Sequence, residues 1–146
     1  MKAALIVSVL AVALVGCNGG TSASSLAGTY AADPSSFKMP ADSKSSGMEG
    51  MAKMMMESMK LELKADGTFN LNMIFEMSGK FTVNGNTIKL TPDKIMGQSI
   101  EELKKQPGAK VNQSDLEMEI LEGGKKLKPI SKNATKDVGE FIFVKK

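Results

Sequence analysis

The sequence predicts a mainly β fold, an antiparallel up-and-down meander of about eight strands curled into a barrel or half-barrel, with one inserted methionine-rich helix. Three observations carry this. From Leu61 onward, apolar and polar residues alternate with period two over most of the chain. Turn dipeptides, among them Asp66-Gly67, Ser78-Gly79, Asn84-Gly85 and Gly123-Gly124, fall between the alternating runs. The stretch from Ser46 to Met59 has helical periodicity instead.

Ordered sequence is expected to begin at Leu26-Ala27-Gly28-Thr29-Tyr30 and to pass through a polar patch around Pro34 and Pro40. Ser46 and Glu49 have capping-box spacing, so a helix from about Gly47 to Met59 should follow. Leu61, Leu63 and Ala65 then alternate with Glu62 and Lys64. Beyond Asp66-Gly67, Phe69, Leu71, Met73 and Phe75 form a dry face, with Asn70, Asn72, Ile74 and Glu76 on the wet one. Ser78-Gly79 reads as the next turn, Phe81 and Val83 as the next inward pair, and Asn84-Gly85 as a two-residue primed turn into Ile88 and Leu90.

Between Thr91 and Gln113 the alternation pauses. Ser99 and Glu102 form a second capping box ahead of a short amphipathic helix that Pro107-Gly108 would end. Leu116, Met118 and Ile120 resume the period, and Gly123-Gly124 leads into Leu127 to Ile130. Pro129 lacks a backbone donor and suits an edge or a bulge. Phe141 to Val144 should be the closing strand.

The N-terminus carries a different signal. Met1-Lys2 precedes an apolar run from Ala3 to Val15, which ends in Leu14-Val15-Gly16-Cys17. The run is shorter than the roughly 17–25 residues of a membrane-spanning helix and has the layout of an export signal. Cys17 is the only cysteine, so it has no internal disulfide partner. The tetrapeptide resembles the lipobox of bacterial lipoproteins. That resemblance implies removal of residues 1–16, a diacylglycerol thioether on Cys17, and a protein held to the cell envelope by its lipid. Asn18 in the position after the cysteine is compatible with the outer membrane of a diderm host. Residues 17–25 then form a lipidated cysteine with a Gly/Ser tether, spanning roughly 15–17 Å as a coil. Residues 26–146 form a single β-domain.

Gly28-Thr29-Tyr30 and the strand, Asp66-Gly67-Thr68-Phe69, strand pattern resemble the small lipocalin-like domains of bacterial lipoproteins. Tyr30 stands where lipocalins have tryptophan, and no arginine exists to pack across it. The candidate ligand-binding residues are Phe69, Leu71, Met73, Phe75 and Phe81. On the helix, Met48, Met51, Met55 and Met59 lie at helical spacing, with Met54 and Met56 beside them. The stripe reads first as a plug for one end of the barrel. The alternative is a Cu(I) site, because soft thioethers select that ion. A third reading is an adaptable surface for an apolar ligand or a partner helix.

Composition narrows function further. All 19 basic residues are lysine, against 16 acids, and the net charge of +3 is too slight to suggest a nucleic-acid surface. The chain has no His and no Arg, so Ser-His and Cys-His pairs and guanidinium clamps are unavailable. The expectation is a non-enzymatic envelope protein with no cofactor beyond its lipid. It would bind a small apolar ligand or a protein partner near the membrane, with a structural or inhibitory surface module as a further alternative.

Overall fold

The computed structural model of the chain describes residues 21–38, 46–105, 115–130 and 140–146, the side chains of residues 46–49 excepted. A helical turn α1 (Ala23–Leu26) precedes β1 (Gly28–Lys38), helix α2 (Ser46–Glu57), β2 (Lys60–Leu63), β3 (Thr68–Asn72), β4 (Glu76–Asn84) and β5 (Thr87–Ile95). The two-residue β6 (Gln98–Ser99), helix α3 (Ile100–Lys104), β7 (Leu116–Leu121), β8 (Lys126–Ile130) and β9 (Glu140–Lys145) complete the order. Neighbours run β1 to β5, then β7, β8 and β9, and β9 pairs back onto β1. Every pairing is antiparallel. Eight strands therefore close into a barrel of the lipocalin-like kind the sequence predicts, and closure removes the sheet edges. The two-residue β6 pairs with the end of β5 outside this ring.

The period-two pattern turns one face of each strand inward. Leu61, Leu63, Phe69, Leu71, Phe81, Ile88, Leu90, Met118, Ile120, Leu127, Phe141 and Phe143 form one buried cluster with Leu26, Tyr30, Ala32, Met56 and Met59. An eight-stranded barrel is just wide enough for side chains to fill its interior. Burial of each large apolar chain contributes about 1.5–3 kcal/mol, and among the described residues no buried polar atom lacks a partner.

Two hairpins differ from the sequence reading. Asn72 pairs with Glu76, so the chain turns at residues 73–75 and not at Ser78-Gly79. Gly79 sits inside β4 beside a bulge, opposite Pro92, where a Cβ would lie 2.2 Å from the Thr91 carbonyl oxygen. That glycine serves backbone approach and makes no turn. β5 correspondingly runs on to Ile95, where the alternation had suggested a pause after Leu90. Its buried Pro92 lies past the last pair with β7, Leu90 with Leu116, so the missing N–H removes no bond from that ladder. In the next hairpin Asn84 pairs with Thr87, so the loop residues are Gly85-Asn86, and of the loop only Gly85 has positive φ, 58°. This is a primed turn with glycine first, one residue beyond the expected register.

The register defines two ends. At the base lie α1, the turn at Asp66-Gly67, the Gly85-Asn86 loop and the 3-10 turn Glu122–Gly124. Tyr30 holds this end together. Its buried hydroxyl sits 2.8 Å from the carbonyl oxygens of both Leu26 and Gly124 and donates its single proton between them. The Lys145 ammonium lies 5.7 Å from the centre of the Tyr30 ring and donates to the Ser25 carbonyl at 3.2 Å. A lysine thus packs its charge over the aromatic face. Ser22 and Ser25 cap α1 reciprocally, so an ordered helical turn begins inside the stretch read as tether.

Candidate functional site

The opposite end, the rim, carries α2, the turn at residues 73–75, the turn at Met96-Gly97, α3 and the last residues of β8. The exposed large apolar side chains among the described residues are Met51, Met54, Met55, Ile74, Phe75, Met96 and Ile130. All of them lie at this end. Met54, Ile74 and Met96 are about three-quarters exposed, at 74%, 73% and 74%. Met96 also has positive φ, 52°, which its turn imposes.

Helix α2 ends at Glu57, two residues short of the Met59 expected from the sequence, so Met56 lies on the helix and Met59 in the link to β2. Met56 and Met59 are buried in the barrel cluster, and Ala52 is half-buried on the same face. The Ala32 N–H donates to the Met59 carbonyl at 3.2 Å and ties the helix exit to β1. Lys60 then pairs with Ala31 as β2 begins. The stripe Met48, Met51, Met55 and Met59 is therefore divided. Met59 is core, Met51 and Met55 face solvent, and the Met48 side chain lies outside the described residues. Of these methionines, those packed into the barrel cluster are Met56 and Met59.

The five candidate ligand residues separate in the same way. Phe69, Leu71 and Phe81 are buried in the packed interior, and Met73 is half-buried against it. Phe75 is on the rim. Four of the five thus belong to the barrel interior and one to its rim. Sequence reasoning passed over Ile74, Met96 and Ile130. Ile74 did carry a signal, since an isoleucine on an otherwise polar strand face is out of pattern.

Electrostatics place no strained acid or base in the rim. The carboxyls of Asp33, Asp66, Glu102 and Asp115 are all held below the usual range. For Asp33, Asp66 and Glu102 the chief cause is a hydroxyl donor two or three residues away: Ser35, Thr68 and Ser99. For Asp115 it is the Lys89 ammonium at 2.7 Å, which the pair in turn raises, followed by Thr91. These are turn, cap and surface-pair interactions of exposed groups. Tyr30 is raised by burial. Among the described residues, no group of three His, Cys, Asp or Glu side chains could hold a metal, and no helix is long and apolar enough to cross a membrane. Cys17 and the segment before it lie outside the described residues. No family model, curated protein or solved structure matches this chain.

Proposed function

We propose that the chain is a lipid-anchored, non-enzymatic protein of the bacterial envelope whose barrel docks an apolar segment of a protein partner on its rim. The observation that carries this is the collection of exposed apolar side chains at one end of the barrel. Exposed apolar groups gathered in one region mark interaction sites, whereas scattered ones need no explanation.

The lipobox reading gives the rim a direction. α1 belongs to the base, and residues 17–22 reach at most roughly 18 Å when fully extended. The nine-residue β5, at ~3.3 Å per residue and a tilt of ~40°, separates base from rim by roughly 20–25 Å. A lipid on Cys17 would then keep the base near the membrane and turn the rim toward the compartment beyond it, the outer membrane being the expected anchor in a diderm host. The non-enzymatic reading is supported by the lack of His and Arg and by carboxyl shifts that arise in turns, caps and one surface pair.

Two experiments test the two halves. Cys17→Ser should abolish acyl labelling and release the protein from the membrane fraction; unchanged membrane recovery, with no acyl label on the wild type, refutes the anchor. A photo-crosslinking residue at Phe75 should give a discrete protein adduct in the producing cells, and one at Lys64 on the base should not. No adduct at Phe75, or equal adducts at both positions, refutes the docking rim.

A further inference from the structure

The geometry points to a Cu(I) site on the outer face of α2, built from the thioethers of Met51, Met54 and Met55, and we propose that this face binds Cu(I) independently of partner docking. Met54 and Met55 stand three and four residues after Met51, so all three share one side of the helix, with Cβ atoms of such neighbours about 5–6 Å apart. Each sulfur ends an unbranched stem with three rotatable bonds, which lets the three converge on one ion. All three are open to solvent, at 68%, 74% and 41% exposure, so an ion can reach them without opening the barrel.

Apolarity alone does not account for methionine here. Where the barrel needs packing, the chain mostly uses Leu, Ile and Phe, as at Leu61, Leu63, Leu71, Leu90 and Leu127. Leucine has an equal helix propensity and would make the same apolar face on α2. What methionine adds is a soft, polarisable sulfur donor. Elsewhere on the rim, Ile74, Phe75 and Ile130 carry no sulfur, and Met96 stands alone in its turn, so among the described residues only α2 groups exposed thioethers. Three neutral thioethers without a hard carboxylate or imidazole donor suit a soft monovalent ion better than Zn(II) or Cu(II). The site differs from the stripe expected from sequence, because Met59 is committed to the core.

The test is anaerobic titration of the protein with Cu(I), supplied as its acetonitrile complex, against bicinchoninate as a coloured competitor. Wild type should withdraw one Cu(I) per chain. The triple variant Met51→Leu, Met54→Leu, Met55→Leu keeps volume and apolarity but should lose that retention. Met59→Leu should keep it. Thermal unfolding of each variant shows whether the barrel survives, and chemical-shift changes confined to the three methionine methyls on adding Ag(I) report the site without redox chemistry. Retention by the triple variant equal to wild type overturns the proposal, as does its loss in Met59→Leu. Since leucine preserves an apolar rim, the Phe75 adduct should persist in the triple variant, so copper binding and docking fail separately.

Discussion

The two ends of this barrel are built from similar apolar material and put it to opposite uses. At the base, Leu26 is fully buried under α1, the Tyr30 hydroxyl bridges two backbone carbonyls, and Gly124 comes so close to Leu26 that a Cβ would lie 2.7 Å from its Cδ2. At the rim, Met54, Ile74 and Met96 stand in water, supported by turns and by a helix of which one face is buried. The base is an interlocked closure, and the rim is a packed plug with an unsatisfied apolar exterior. Comparable side chains are therefore buried at one end and exposed at the other. What decides between them is whether the turn that carries them folds inward against the barrel.

That contrast can be broken most sharply at Tyr30. Tyr30→Ala should lower stability by about 3–5 kcal/mol, the cost of an aromatic cavity, and it also leaves the Leu26 and Gly124 carbonyls without their donor. A urea midpoint close to wild type would mean that the base is not the closure described. Next in size is Gly124→Ala. It places a Cβ at φ 92° against Leu26 and should cost about 1–3 kcal/mol. If the equivalent change at Gly85, which has open space around it, proves the more damaging, base packing is not the reason.

pH should act on the whole barrel with opposite sign in acid and in base. Asp33, Asp66, Glu102 and Asp115 have depressed folded values. Their contribution is present above the ordinary carboxylate range and is lost as pH falls through the folded values, so the midpoint should hold near neutrality and drop below about pH 4. Tyr30 and Lys89 have raised folded values. Their contribution is complete below the ordinary values and is lost as pH rises past the folded ones, so the midpoint should fall again above about pH 10. A midpoint flat from pH 3 to 5 contradicts the carboxylate half. The smallest stability effect belongs to the rim itself. Ile74→Ser with Phe75→Ser should shift stability by roughly 0.5 kcal/mol per site or less, yet reduce binding of an apolar dye such as Nile red. A large loss of stability with unchanged dye binding would show that these residues belong to the core.

Much of this is legible along the chain. Alternation places Leu61, Leu63, Phe69, Leu71 and Phe81 inside, and the Ser99–Glu102 capping box is present with both of its hydrogen bonds. These signals are local, because a strand's inward face follows from its own period and a cap from residues three apart. Gly79 shows where local reading fails. It looks like a turn, but it is required by the Thr91 carbonyl of the neighbouring strand, which no local pattern reveals.

By itself the sequence determined the strand count of the barrel, most inward faces, a helix expected from about Gly47 to Met59 that in the structure spans Ser46–Glu57, and the lack of imidazole and guanidinium groups, all of which depend on residue type and short-range spacing. Closure of β9 onto β1, the lysine over Tyr30, and which methionines of α2 are buried were decided by tertiary structure alone. A helix with methionine on several sides has no preferred rotation of its own. Packing of the helix on β1 decides it, with Met56 on the helix and Met59 in the link to β2 buried while Met51, Met54 and Met55 face the solvent.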